Sequence, residues 1–188
     1  SPANILPNKR KAKEIILAVT GSIAIYKSCQ ILRLFKKNGF LVSVVMTEEA
    51  KEFIRPLLFE QLSQGKVYSG LFTSPDVWNV EHVSLAKKAD LVLVAPATAN
   101  IIAKVNSGLC DDLLSCLIAA TKAKVVFAPA MNETMYFNPI TQENIKRLKT
   151  LGYKFISPKK GLLACGDEGM GCLEEPEEIF AQVKKILA

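Results

Sequence analysis

The richest chemistry in this chain lies in "PAMNETMYFNP" (129–139), directly behind the apolar run "AKVVFA". Methionine is a soft filler of irregular gaps, so packing alone explains Met131 and Met135. Asn132 asks for more. A buried asparagine needs partners for up to four hydrogen bonds, and each missing one costs about 1–3 kcal/mol, a need that a substrate carboxylate or amide would meet. Cys165 stands in "LLACGDEGMGC" among Gly161, Gly166, Gly169 and Gly171, a stretch that reads as a loop too flexible for a core strand. A thiol there is either an inert small apolar group or an exposed nucleophile. His82 is the only histidine, and on spacing alone it reads as a surface or half-buried residue rather than a general base.

Three further stretches place small or hydroxyl residues where apolar runs end. In "VTGSIA" (19–24), Gly21 and Ser22 read as a strand-to-helix turn whose glycine and free N–H groups also suit a phosphate. Thr47 in "VMTEEA" is either a helix cap or a hydroxyl donor, and "APATANIIAK" (95–104) offers Thr98 and Asn100 where a cap needs only one of them. Neither GxGxxG nor GxxxxGK occurs, so no dinucleotide or nucleoside triphosphate is specified.

The elements that must position these residues alternate. "EIILAVT" (14–20), "FLVSVVMT" (40–47), "DLVLVAPA" (90–97), "AKVVFAPA" (123–130) and "YKFIS" (153–157) read as strands. Helical spacing of Ile23, Tyr26, Ile31, Leu34 and Phe35, stopped by Gly39, predicts a helix after the first strand. Further helices are predicted at 48–54, 82–89, 98–121 with a break around Gly108, 141–152 and 175–188, with Arg55 to Val80 less regular. Strands that are apolar throughout, alternating with helices, predict a doubly wound parallel sheet with helices on both faces, an α/β domain of the Rossmann or flavodoxin kind. Residues 1–12 carry two prolines and read as a mobile arm, leaving 13–188 as one domain. Open sheets of this kind bind ligands beyond the carboxyl ends of their strands, where Gly21, Ser22, Thr47, Thr98, Asn100 and Asn132 fall.

Composition narrows the function. The net charge of +6 suits an acidic partner, but the excess lysines sit in "NKRKAKE" and "SPKKG", and aromatics are only 7%. That argues for an anionic small molecule over a base-stacking nucleic-acid surface. Five scattered cysteines and one histidine fit neither a disulfide framework nor a zinc site, and no apolar run is long enough for a membrane span. A reducing, cytoplasmic setting is expected.

Taken in order, "VTGSIAIYKS", "VVMTEEAKEFI", "EHVSLAKKADLVLVAPATANIIAKVNSGLCDDLL", "PAMNETMYFNP" and "LACGDEGMG" resemble the flavin-dependent cysteine decarboxylases from about Glu14 to Phe180. The resemblance implies FMN across the carboxyl edge, contacted by Gly21, Ser22, Ile23, Thr47, Thr98, Ala99, Asn100, Ile101 and Ala130. It also implies His82 as catalytic base, Asn132 as holder of the substrate carboxylate with Met131 and Met135 in the same clamp, and Cys165 as a late proton donor. The implied activity is decarboxylation of 4'-phosphopantothenoylcysteine to 4'-phosphopantetheine in coenzyme A biosynthesis, since Cys165 marks the branch that reduces the ene-thiol intermediate. Homotrimers that assemble into dodecamers, with the site between subunits, and a fused or separate phosphopantothenate-cysteine ligase are the implied partners. Rival readings are a flavin prenyltransferase and a non-catalytic flavoprotein that binds a partner. The chain departs from the pattern at Ser22, at Tyr136 and across "GMGCLEEP" (169–176).

Overall fold

The structure is a computed structural model that describes residues 11–69 and 83–188. Six parallel strands form its sheet: β1 (Glu14–Val19), β2 (Leu41–Met46), β3 (Val67–Ser69), β4 (Leu91–Ala97), β5 (Lys124–Pro129) and β6 (Lys154–Phe155), in the order β3-β2-β1-β4-β5-β6. The helices are α1 (Ile25–Lys37), α2 (Pro56–Ser63), α3 (83–88), α4 (Ala99–Ser107), α5 (Leu113–Ala120), α6 (Glu133–Tyr136), α7 (Pro139–Thr150) and α8 (Pro176–Leu187). An antiparallel hairpin of β7 (Lys159–Leu162) and β8 (Glu168–Cys172) stands apart from the sheet.

Strand periodicity divides the core in two. Ile15, Leu17 and Val19 join one cluster and Ile16 and Ala18 the other, because successive side chains point to opposite faces. Leu91 and Leu93 against Val92 and Val94, and Val126 and Ala128 against Val125 and Phe127, repeat the pattern. On the first face Phe35 of α1 meets Phe180 of α8 and Phe40 edge-on, at ring distances of 5.1 and 5.2 Å. Both faces are therefore covered, as the unbroken apolar strands required.

Four expectations change. The glycine-rich segment 159–172 is a hairpin: glycines at 161, 169 and 171 erase the side-chain alternation that would betray strands, yet leave backbone pairing intact. The helix predicted at 48–54 is one 3₁₀ turn (Glu49–Glu52), and α2 and β3 lie in the stretch read as irregular. Helix α2 turns Phe59, Leu62 and Ser63 inward, but Leu57 and Leu58 face outward and blur its period in the sequence. The break predicted around Gly108 within 98–121 is present and separates α4 from α5, at a φ of 71° that suits glycine. The strand at 153–157 pairs only at Lys154 and Phe155.

Candidate active site

Strands β1 and β4 are neighbours, yet the chain leaves them on opposite faces, α1 packing with the first cluster and α4 with the second. Such a divergence opens a crevice at the carboxyl edge. Thr20 organises its floor: the hydroxyl, on a residue 2% exposed, donates to the Pro96 carbonyl at 2.6 Å and accepts the Thr98 N–H at 3.2 Å. Ser28 donates from α1 to the Ala95 carbonyl at 2.8 Å. These bonds satisfy carbonyls at the point where the β4–β5 register shifts, where the ladder alone would leave them short of partners.

Two clefts flank this first turn. The smaller, about 230 Å³, brings together Gly21, Thr47, Thr98, Ala99, Asn100 and Ile101, with Met135 on its wall. The larger, about 450 Å³, brings together Ser22, Ile23, Ala130, Met131, Asn132 and Cys165. Every candidate residue within the described part of the chain thus lines one cleft or the other. His82 lies outside the described residues.

The polar candidates are also structural. Thr47 Oγ1 accepts the Ala50 N–H at 3.3 Å, Thr98 Oγ1 accepts the Ile101 N–H at 3.3 Å and Asn132 Oδ1 accepts the Met135 N–H at 2.8 Å. Each caps the turn that follows its strand. The expectation of a buried Asn132 is corrected here: the residue is exposed, and its carbonyl oxygen is held by its own helix. That leaves the Nδ2 hydrogens as donors. Gly21 is required by packing, because a Cβ there would stand 2.6 Å from Glu49 Cβ, so the first turn and the turn after β2 can meet only without it.

Sequence reasoning missed Thr20, Glu49, Asp112 and Lys27, all on the cleft walls. For Asp112 a signal existed. "DDLLS" places an acid three residues before a serine, and Asp112 Oδ1 accepts the Ser115 N–H at 2.7 Å while Ser115 Oγ accepts the Asp112 N–H at 3.2 Å. Lys104 reaches Asp111 and Asp112, each at 2.9 Å. Burial by itself would push the Asp112 carboxyl up, but the Ser115 N–H and the Lys104 ammonium outweigh it and hold the group below its ordinary value. Burial likewise works against the Lys104 charge, and the two aspartates overcome it and raise that group. Lys27 Nζ donates to the Leu173 carbonyl at 3.1 Å and to Glu175 at 3.2 Å, and Glu175 also pairs with Lys159.

A doubly wound domain with two clefts at its switch point defines a ligand-binding α/β protein. The Flavoprotein profile matches residues 3–188, and the chain belongs to that family. It is 47% identical over 170 residues to the coenzyme A biosynthesis bifunctional protein CoaBC of Borreliella burgdorferi, an alignment covering 90% of this chain and 43% of that one. It is 45% identical over 177 residues to a probable phosphopantothenoylcysteine decarboxylase of Streptococcus mutans, covering 93% and 99%. Among solved structures, a cysteine-to-serine mutant of PPC decarboxylase complexed with pantothenoylaminoethenethiol superposes with a TM-score of 0.82 at 31% identity, covering 94% of this chain and 98% of that one. The chain spans less than half the length of the bifunctional relatives it matches.

Proposed function

We propose that this chain is a carboxy-lyase that uses FMN to convert 4'-phosphopantothenoylcysteine into 4'-phosphopantetheine. The observation that carries the reading is the larger cleft, where an amide donor at Asn132 and a thiol at Cys165 share one space with the first turn.

The clefts suit a flavin. Ile23 and Tyr26 are 61% and 59% exposed on the wall of the larger one, apolar surface of the kind a planar ring covers. At the head of α1 the Ala24 and Ile25 N–H groups donate to Ser22, and Thr47, Thr98 and Asn100 line the smaller cleft, so hydroxyl and amide donors for a phosphate and a polyhydroxyl tail are at hand. Gly21, Ser22, Ile23, Thr47, Thr98, Ala99, Asn100, Ile101 and Ala130 would hold the cofactor.

An ordinary cysteine carboxylate does not lose CO2, because the carbanion left behind has nowhere to place its charge. Bound flavin supplies a two-electron acceptor that gives the electrons back at the end of the cycle. Asn132 Nδ2 donates to the carboxylate and fixes it, with Met131 and Met135 closing the clamp. His82 takes the thiol proton as the thiol-bearing carbon is oxidised to a thioaldehyde. The carboxylate is now β to a thiocarbonyl, so CO2 leaves and the electron pair moves into an ene-thiolate. Cys165 supplies a proton at carbon as that ene-thiolate regains the two electrons and the hydrogen lost in the oxidative half, and the proton held by His82 returns to sulfur to give the saturated thiol. Lys27 is the lysine that lines the larger cleft among the described residues, and it offers the substrate a cationic neighbour.

Anaerobic incubation of the FMN-loaded protein with phosphopantothenoylcysteine, followed by mass spectrometry, tests this reading. Equimolar CO2 and phosphopantetheine are expected. Prenylated flavin formed from an added prenyl phosphate would instead identify a flavin prenyltransferase, and bound flavin without turnover a non-catalytic binding module.

Homo-oligomers are part of the proposal. Leu109, Met135, Phe137 and Ile140 are between 46% and 68% exposed, large apolar side chains on segments flanking the clefts. The partner proposed for supply is a phosphopantothenate-cysteine ligase, fused or separate. Purified chain coupled to such a ligase with phosphopantothenate, cysteine and nucleotide should deliver phosphopantetheine, and accumulation of the cysteine adduct would count against the pairing.

A further inference from the structure

Glu133 follows Asn132 and opens α6. Its Oε1 accepts the Met170 N–H at 2.9 Å, a bond between residues 37 apart in the chain. On the other side of Asn132, the Met131 N–H donates to the Gly171 carbonyl at 2.9 Å. The two bonds bracket Asn132 and tie it to β8. From β8 the chain runs back to Cys165 through a turn closed by Leu163 N–H to Asp167 carbonyl at 2.8 Å and Gly166 N–H to Leu163 carbonyl at 2.9 Å. Paired strands and a closed turn make the hairpin one unit, so fixing β8 fixes the thiol.

The glycines of "GMG" permit this contact. A Cβ at Gly169 would lie 3.0 Å from Glu133 Cδ and 3.1 Å from Oε2, and one at Gly171, where φ is +130°, would lie 2.0 Å from the Met131 carbonyl oxygen. Glu133 therefore lies flat against the strand it holds. Removing it leaves the hairpin held at its base, by the Met131–Gly171 bond and the Lys159–Glu175 pair, and takes away a bond nearer the turn that carries Cys165.

We propose that Glu133 is a positioning residue for the reductive half of the reaction: it holds the Cys165 thiol in register with the substrate that Asn132 fixes. The proposal rests on the decarboxylase reading. It assigns Glu133 no proton transfer and no contact with substrate.

The test compares Glu133→Ala, Glu133→Gln and wild type by two readouts. Amide hydrogen exchange over 159–172 is measured without substrate, and the ratio of ene-thiol to phosphopantetheine is measured in anaerobic turnover. Glu133→Ala should speed exchange at Met170 and the 163–167 turn about tenfold, as loss of one hydrogen bond to a charged acceptor implies. It should raise the ene-thiol ratio about fivefold or more while CO2 release stays within about twofold of wild type, because the oxidative half does not use Cys165. Glu133→Gln keeps an acceptor oxygen and should restore both readouts. Where Glu133→Ala fails to fold, Gly169→Ala, whose methyl displaces the carboxylate, should move the ratio the same way. An unmoved ratio in Glu133→Ala, or CO2 and phosphopantetheine falling together, overturns the role while wild-type turnover leaves the decarboxylase reading standing. Wild-type protein that releases no CO2 overturns both.

Discussion

Asn132 uses the two ends of its amide differently. Its oxygen caps α6 by accepting the Met135 N–H, and its nitrogen remains for the carboxylate in the proposed reaction. Aspartate separates the two, since it is an equally good cap but offers no donor and repels a carboxylate. Asn132→Asp should therefore fold and bind FMN as wild type does, while kcat/KM falls about 10- to 100-fold, the loss of one charge-assisted hydrogen bond. Near-normal kcat/KM in that variant would remove the donor role. At His82, replacement by asparagine should leave a yellow protein with no CO2 release, and substantial turnover measured by headspace CO2 would remove the proposed base. Asn132 was legible in the sequence because an amide behind a core strand needs partners, whereas Met131 and Cys165 had ordinary packing explanations and were singled out by the family resemblance. Thr20 and Lys27 were not legible, because a hydroxyl at a strand end and a lysine in an amphipathic helix have ordinary explanations until the fold aims them at one crevice.

At the scale of elements, the Lys104–Asp112 pair joins the end of α4 to the start of α5 beside the smaller cleft. The Asp112 carboxyl is lowered by folding, so its stabilisation is complete above the unfolded value, near 3.9, and is lost as the pH falls through the lower folded value. Lys104, raised by folding, contributes below its unfolded value and loses that contribution only as the pH rises through its folded one. Asp112→Asn keeps the cap and removes the charge. It should cost about 1 kcal/mol at neutral pH, roughly 2–4 °C in melting temperature, and the gap to wild type should close in strong acid. An unchanged gap between neutral pH and pH ~3 by thermal unfolding would contradict this assignment. The four longer strands of the sheet were legible because burial on both faces writes itself as runs of valine, isoleucine and leucine. The hairpin and α2 were not, since glycine carries no pattern and an eight-residue helix with one buried aromatic carries little.

At the scale of the molecule, the strand order places β1 beside β4 and so sets the first turn, the clamp after β5 and the hairpin around one edge. Exposed Phe137 and Ile140 beside the clamp are proposed to meet a second subunit. Phe137→Asp with Ile140→Asp should reduce the mass seen by light scattering to that of a monomer and lower activity with it. A wild-type protein already monomeric would contradict the shared site. In the proposed reaction this edge removes two electrons from a thiol-bearing carbon, releases CO2 and returns the electrons with a proton from Cys165. Anaerobic turnover of Cys165→Ser with phosphopantothenoylcysteine tests it most directly: the account predicts CO2 with accumulation of the ene-thiol, and normal phosphopantetheine from that variant, or no CO2 from it while wild type turns over, would contradict it.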